Sequence, residues 1–104
     1  MISRRWHGIV RAEKADEYQA YLVETGVTDY QATAGNRGVY ILRRDDDGDT
    51  HFEVLTLWDS VESIQAFAGE DISCARYYPL DREYLVELEP RVEHHEVVVA
   101  VGIV

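Results

Sequence analysis

Apolar residues alternate across both faces of one short segment, residues 52–58. One face carries Phe52, Val54 and Trp58, and the other carries Leu55 and Leu57. A strand that is apolar on both faces must be covered on both sides. The pattern therefore predicts a central strand around which the rest of the chain is organised.

A helix is predicted directly after this strand. Asp59 or Ser60 can cap it, because either side chain accepts a hydrogen bond from a free backbone N–H, and Asp59 with Glu62 has the charge placement of a capping box. Gly69 supplies the left-handed turn that ends the helix. The apolar stripe that docks on the sheet is Val61, Ile64, Phe67 and Ala68.

The remaining pattern predicts three further strands, one further helix and several turns. From Lys14 the apolar positions recur at helical spacing, and Gly26 is predicted to end or kink this helix. Residues 71–78 and 81–85 are predicted as short helical turns, the second capped by Asp81. The predicted strands cover residues 4–11, 39–44, 50–58 and 92–101.

This order of elements predicts an α+β fold of the ferredoxin-like βαββαβ type. Its four-stranded antiparallel sheet carries both helices on one face, with the first strand between the third and the fourth. Because the third and fourth strands are apolar on both faces, the other face of the sheet is also expected to be covered. A second copy of the sheet would cover it, so the chain is expected to form a homodimer.

Composition narrows the class of protein. The 104 residues are expected to form one domain, residues 1–104. Twenty acidic against ten basic residues give a net charge of -10, which disfavours nucleic acid and anionic membranes as partners. Cys74 is the single cysteine, which excludes an internal disulfide and fits a reducing cytoplasm, as does the lack of a signal-peptide core at the N-terminus. The apolar run 97–104 is far shorter than the roughly 20 residues of a membrane helix and is predicted to be a buried strand.

Histidines are the first candidates for chemistry. In the predicted strand order, His7, His51 and His94 come from neighbouring strands. They either converge on one site or point to opposite faces, because successive side chains of a strand alternate. No metal-ligand spacing recurs among the histidines, acids and cysteine, so no metal site is expected.

Aromatic residues form the second group of candidates. They are predicted to line an apolar cleft between helices and sheet, which suits a flat polycyclic ligand. The alternative is that they only fill the core, and for Phe67 this alternative is preferred. Trp58 and Tyr77 have polar groups that need partners when buried, which favours them as site residues. The group consists of Trp58, Phe67, Tyr77 and Tyr78, with Trp6 and Tyr18 nearby.

Three segments together resemble the antibiotic biosynthesis monooxygenase family of dimeric α+β barrels. They are FEVLTLWDSVE at residues 52–62 with Phe67 after it, ARYYP at 75–79, and GNRG at 35–38 before the second strand. The resemblance implies the barrel fold and covers nearly the whole chain. The family includes cofactor-independent quinol-forming oxygenases, haem-degrading oxygenases and small proteins with no assigned reaction, so it does not by itself name an activity.

The haem-degrading branch is similar through the tryptophan that corresponds to Trp58. Its haem-ligating histidine corresponds to Tyr77 here, and its first-strand asparagine to His7 or a neighbour. A tyrosinate can ligate ferric haem, but a phenol with a pKa of about 10 needs a nearby cation to ionise, and Arg76 is the adjacent candidate. A haem-binding or haem-degrading oxygenase is therefore the second expectation, after an oxygenase that needs no cofactor.

The sequence favours a small cofactor-independent monooxygenase that acts on an aromatic or polyketide-like phenol or anthrone. Such substrates supply the electrons themselves, so the protein needs a dry cleft, a base and hydrogen-bond donors. His7 or His51 is the predicted base, with Trp58 and Tyr77 as orienting donors. The alternatives are a haem-binding or haem-degrading oxygenase and a non-catalytic, dimeric ligand-binding protein. Residues expected to contact the substrate are Trp6, Phe67, Arg76, Tyr78 and His94.

Overall fold

Helices cover one face of a four-stranded antiparallel sheet in a computed structural model, which describes residues 1–102. The strands are β1 (Ile2–Arg11), β2 (Asn36–Asp46), β3 (Asp49–Trp58) and β4 (Glu93–Glu96). Their order in the sheet is β2-β3-β1-β4, so β1 lies between β3 and β4. The predicted ferredoxin-like α+β fold is confirmed.

Strand β3 alternates between buried and partly exposed residues along its whole length. Phe52, Val54 and Trp58 are buried on the face that the helices cover. Leu55 and Leu57 are partly exposed on the opposite face. The two faces predicted for this strand are confirmed, and the face without helices is the one that carries the two leucines.

The helical connection from β1 to β2 widens midway, whereas the sequence predicts an end or kink at Gly26. Gly26 is buried within a π-helical turn, which leads from one α-helical part directly into the next. A Cβ at this position would lie 3.4 Å from the Tyr30 ring, in ordinary van der Waals contact, so the packing does not require glycine here. The parts are a 3₁₀ turn (Ala12–Lys14), α1 (Ala15–Leu22), the π-helical turn (Val23–Val27) and α2 (Thr28–Ala32).

Helix α3 (Val61–Ala68) follows β3 as predicted, but its capping box has different members. Oγ of Ser60 accepts a hydrogen bond from the backbone N of Ser63, and Oγ of Ser63 accepts one from the backbone N of Ser60, both at 3.2 Å. The predicted Asp59 box does not form, because the Asp59 carboxylate accepts a hydrogen bond from Arg37 instead.

The segment after α3, for which a helical turn is predicted, contains a single hydrogen-bonded turn, in which Cys74 N donates to the carbonyl of Asp71 at 3.2 Å. Gly69, with a φ of +96°, ends α3 as predicted. Residues 71–78 form no helix, because their backbone bonds to a later segment; Ala75 N, for example, donates to the carbonyl of Pro90. The second predicted turn is present as α4 (Asp81–Tyr84), but Asp81 does not cap it, because its carboxylate accepts hydrogen bonds from Tyr18 and from the backbone N of Tyr78 instead.

The last strand is shorter than predicted. β4 ends at Glu96 because its partner there is Ile2, where β1 begins, so no neighbouring strand continues beside it. The residues that follow, Val98, Val99 and Val101, are 83%, 75% and 83% exposed. The prediction of a buried strand is therefore wrong for residues 97–101 of the single chain, and residues 103 and 104 of that run lie outside the described residues.

Two apolar clusters hold the helices on the sheet. The larger cluster joins Tyr18 and Leu22 of α1 to Phe52 of β3. The smaller one joins Ile64 of α3 to Trp58, and Tyr30 packs against both clusters. Within residues 1–102, no helix is both long and apolar enough to cross a membrane.

Candidate functional site

A cleft opens between the covered face of the sheet and the α1–α2 segment. The space inside it that can hold water-sized groups is about 30 Å³, well below the roughly 300–1,000 Å³ of small-ligand sites, so a ring-sized ligand can enter only if the lining side chains move apart. Six of its fifteen lining residues are aromatic: Trp6, Tyr18, Tyr30, Phe67, Tyr77 and Tyr78. Three charged residues also line it: Arg4, Arg76 and Asp81. Flat apolar walls with a few charges suit an aromatic ligand that carries a polar group.

Trp58 lies one layer behind this cleft. The indole is fully buried and packs on Phe67, with 5.8 Å between ring centroids. Its Nε1 donates to Oγ1 of Thr56 at 2.8 Å, so the one donor of the indole is used within the core. Trp58 therefore supports the wall of the cleft from behind.

Tyr77 lines the cleft with its hydroxyl already engaged. The hydroxyl donates to the backbone carbonyl of Glu89 and accepts a hydrogen bond from Nε1 of Trp6 at 3.3 Å. Burial raises the pKa of Tyr77, although the hydrogen bond from Trp6 acts in the opposite direction. The phenol is therefore held in its protonated form.

Arg76 lies at the mouth of the cleft, stacked on two aromatic rings. Its guanidinium carbon is 4.7 Å from the ring centroid of Phe67 and 5.1 Å from that of Tyr78. The same group pairs with the Asp29 carboxylate at 3.1 Å and donates to the Phe67 carbonyl. Asp29 also accepts the hydroxyl hydrogen of Tyr78, whose pKa is raised by burial and by that bond.

His7 and His51 lie on the opposite face of the sheet from the cleft. Side chains alternate along β1, and because Trp6 points toward the helices His7 points away from them. Nε2 of His7 is 2.9 Å from Nδ1 of His51, and Nδ1 of His7 is 2.7 Å from a carboxylate oxygen of Glu89. These two histidines contact each other, but on the face away from the aromatic cleft.

His94 lies on the covered side of the sheet, apart from the other two histidines. It is the strand partner of Arg4, and its Nε2 is 3.1 Å from NH1 of that arginine. Burial and the neighbouring Arg4 charge lower the pKa of His94. The three histidines therefore do not converge on one site.

Arg4 is a cleft residue that the sequence analysis did not single out. It is only 3% exposed, although it carries a charge, because it occupies an inward position of β1 two residues before Trp6. Its guanidinium donates to the carbonyls of Ile72 and Cys74. The sequence contained one indication of this position: Arg4 lies two residues before Trp6 in a predicted strand, and residues two apart in a strand share a face.

Asp81 is the second residue that was missed, since the sequence assigned it only a capping role. It is 4% exposed and accepts hydrogen bonds from the hydroxyl of Tyr18 at 2.8 Å and the backbone N of Tyr78 at 2.6 Å. Burial raises the pKa of Asp81, and the two hydrogen bonds counteract part of this effect. A buried carboxylate with a raised pKa at a cleft is a common property of catalytic bases.

No protein-family model matches the chain, and no curated protein matches it. Solved structures do match over nearly its full length. The haem degrader MhuD from Mycobacterium tuberculosis, with two haems bound in its active site, is 22% identical over 98% of this chain and 100% of that one, with a TM-score of 0.65.

Two proteins named for antibiotic biosynthesis monooxygenases also match. The one from Nitrosomonas europaea is 14% identical over 95% of this chain and 100% of that one, with a TM-score of 0.68. The one from Bacillus cereus is 13% identical over 95% of each chain, with a TM-score of 0.63. The chain therefore has the fold of the antibiotic biosynthesis monooxygenases, as its sequence motifs predict.

The residues of the cleft do not fit a haem-ligand set. Within the described part of the chain, the lining contains no histidine, cysteine or methionine. Tyr77 is the predicted substitute ligand, but its hydroxyl donates to Glu89 and its pKa is raised. Arg76, the predicted cation, lies over Phe67 and Tyr78 instead of acting on Tyr77. Nothing in this arrangement favours the tyrosinate that haem ligation would need.

Proposed function

We propose that this chain is a small oxygenase that takes an aromatic phenol or anthrone into the cleft and oxidises it without a bound cofactor. The observation that carries the proposal is the carboxylate of Asp81, buried with a raised pKa beside aromatic walls. The fold, which is shared with proteins named as monooxygenases, supports the same class of reaction.

The chemistry needs no external reductant. With anthrone as the example, a base removes a proton from the ring CH₂ group, and the resulting enolate gives electrons to O₂. The CH₂ carbon becomes a carbonyl, and the second oxygen atom leaves as water, so that anthrone and O₂ yield anthraquinone and water. The protein has to bind the ring, accept the proton and stabilise the anion.

Asp81 is the base that the geometry favours. Its carboxylate lines the cleft, and burial moves its pKa toward the working pH, which improves proton transfer. His7 and His51, the bases favoured by the sequence, lie on the other face of the sheet. Of the predicted orienting donors, Trp58 lies behind the cleft and the hydroxyl of Tyr77 already donates to Glu89. The predicted ring contacts that line the cleft are Trp6, Phe67, Arg76 and Tyr78.

A homodimer remains part of this proposal. The open face of the sheet carries Leu55 and Leu57 together with the His7–His51 pair. A second sheet packed on this face would cover the leucines.

Oxygen uptake tests the proposal. Purified protein is mixed with anthrone and with a naphthohydroquinone under air, and oxygen consumption is followed together with quinone absorbance. We expect turnover that Asp81→Asn lowers by about 10²- to 10⁴-fold, the usual contribution of general base catalysis. Asp16→Asn is the matched control, because the Asp16 side chain is 98% exposed and outside the cleft.

Two outcomes would contradict the proposal. Equal turnover by wild type and Asp81→Asn, with both variants folded, would remove Asp81 as the base. Saturable binding of the aromatic compounds without any oxygen uptake would instead support the rival, a ligand-binding protein that performs no chemistry.

A further inference from the structure

Arg4 is a buried cation without an acidic partner. It lines the cleft, and only 3% of its surface is exposed. The ion pairs formed among residues 1–102 involve other arginines and two histidines, and none includes Arg4. Arginine is rarely buried unless it is paired, because removal of its charge from water is costly.

The contacts that Arg4 makes are all to neutral groups. NH1 donates to the carbonyl of Ile72 and to Nε2 of His94 at 3.1 Å, and NH2 donates to the carbonyl of Cys74 at 3.0 Å. Burial and the Arg4 charge lower the pKa of His94, so the imidazole stays neutral. Three of the five N–H groups of the guanidinium are used in this way.

The remaining N–H groups of Arg4 are available from the cleft. Its Nε has no hydrogen-bond partner within residues 1–102. No fully buried side-chain nitrogen or oxygen in the same part of the chain lacks a partner. Nε of Arg4 is therefore not sealed in the core, and it can donate to a group that enters the cleft.

Tyr30 adds a neutral donor next to this cation. Its hydroxyl forms no hydrogen bond with the described residues, and it too lines the cleft. Burial raises the pKa of Tyr30 to about 12, whereas Arg4 and Arg76 lower it more than Asp81 and Asp29 raise it. The phenol is therefore protonated at neutral pH and cannot neutralise Arg4.

We propose that Arg4 and Tyr30 form a subsite for a negatively charged oxygen on the aromatic ligand, either a phenolate or enolate oxygen or a ring carboxylate. The bound anion supplies the missing counter-charge of Arg4. The site lies in a chain with a net charge of -10, which repels free anions, so a local cation is needed to hold one. This inference deepens the proposed function, since it names the charge of the substrate, but binding alone tests it.

A pair of ligands that differ only in charge provides the test. The probes are 2-naphthoate, which is an anion at pH 7.5, and 2-naphthamide, which is neutral and has the same shape. Binding is measured from the quenching of tryptophan fluorescence. We expect the naphthoate to bind the wild type about tenfold more tightly than the amide, as a charge-assisted hydrogen bond would provide.

Variants then locate the preference. In Arg4→Gln we expect the two ligands to bind within about twofold of each other, through loss of affinity for the naphthoate alone. Arg11→Gln is the matched control, because Arg11 lies on the same strand but is exposed and pairs with Asp49, and it should keep the preference. If Arg4→Gln does not fold, Tyr30→Phe carries the test, with a loss of preference of about threefold expected.

Each remaining outcome is decisive. Equal binding of both ligands by the wild type would overturn the anion subsite while leaving the aromatic cleft intact. A preference for the naphthoate that survives both Arg4→Gln and Tyr30→Phe would also overturn it. Preferential binding of the anion without oxygen uptake would confirm the subsite and contradict only the proposed oxygenase.

Discussion

His7 and His51 face each other on the open face of the sheet, with Nε2 of His7 2.9 Å from Nδ1 of His51. On its other side, Nδ1 of His7 is 2.7 Å from Glu89. Because a neutral imidazole has one donor and one acceptor, a continuous hydrogen-bonded chain from His51 through His7 to Glu89 requires each histidine to carry its hydrogen on Nδ1.

The hydrogen bonds from His51 through His7 to Glu89 predict an energetic coupling between His7 and Glu89. We expect His7→Ala to lower the free energy of unfolding by about 1 kcal/mol, since both partners are about one-third exposed and solvent weakens their interaction. A double-mutant cycle with Glu89→Ala, measured by denaturant unfolding, should give a coupling of about 0.5–1 kcal/mol. Additive effects of the two substitutions would contradict the contact, and His95→Ala, at an exposed neighbour on β4, serves as the control.

Trp58 should contribute strongly to stability. The indole is fully buried, packs on Phe67 and has its Nε1 bonded to Thr56. Trp58→Ala is expected to lower the free energy of unfolding by about 3–5 kcal/mol, because it opens a large cavity and removes the hydrogen bond that the indole donates to Thr56. Urea titration followed by circular dichroism measures this.

The comparison with Trp58→Phe separates the two causes. Phenylalanine fills most of the space but has no N–H donor, so a loss of about 1–2 kcal/mol is expected. A loss below about 1 kcal/mol in Trp58→Ala would mean that the indole is not in the core.

The central strand could be predicted from the sequence because its constraint is local. A period of two in residues 52–58 fixes which side chains share a face, and the faces of Val54 and Leu55 were predicted correctly. Helix α3 was predicted for the same reason, since the capping position, the apolar stripe and Gly69 are all close in sequence. Ile64 and Phe67 of that stripe are buried, but Val61, predicted to dock on the sheet, is 41% exposed. The sheet order then followed from the order of the elements.

The candidate site was predicted less well because it depends on which way single side chains point. The sequence placed His7, His51 and His94 on neighbouring strands, but alternation from Trp6 sends His7 away from the cleft and only His94 to the helix side. Arg4 was missed because arginine is mostly exposed in proteins, and the weak alternation of residues 4–11 did not indicate that it faces inward. The run 97–101 reads as a core strand, but the end of β1 at Ile2 leaves it without a partner.

Acid should weaken the fold through His94. The pKa of His94 in the folded chain is lowered below its ordinary value of 6.5 by burial and by Arg4. The unfolded chain therefore binds more protons between the folded pKa and 6.5, so stability is fully present above 6.5 and is lost as the pH falls through that window. Protonation would place a second cation beside Arg4.

Denaturant midpoints between pH 5 and pH 8 test this dependence. We expect the wild type to lose stability below pH 6.5 and His94→Gln to show a flatter profile over the same range, because glutamine can still accept from Arg4 but does not titrate. His95→Gln, at the exposed neighbouring position, should keep the wild-type profile. Identical profiles for wild type and His94→Gln would contradict the assignment.

Haem binding is expected to be weak and without a defined axial ligand. The cleft offers tyrosines whose pKa values are raised, and Tyr77 is committed to Glu89. Titration with haemin should therefore give a broad Soret band and no sharp one-to-one end point. A saturable complex with a sharp Soret band that is lost in Tyr77→Phe but kept in Tyr78→Phe would instead make a haem enzyme the better proposal.

The open face of the sheet predicts a homodimer. Leu55 and Leu57 are partly exposed there, and Val98, Val99 and Val101 after β4 are largely exposed as well. If pairing hid about 500 Å² of apolar surface per chain, the gain would be on the order of 12 kcal/mol per chain before the costs of association, enough to make the monomer a minor species.

Sedimentation at low micromolar concentration measures the state directly. We expect a species of twice the 11.9 kDa chain mass, and a stable, well-folded monomer would contradict the dimer. Leu57→Glu places a charge in the predicted seam and should cause unfolding or aggregation, because each sheet would be left half covered and the charge could not be buried without a partner. Val61→Glu is the matched control, since Val61 is 41% exposed on the helix side and lies away from that seam, so this variant should remain dimeric.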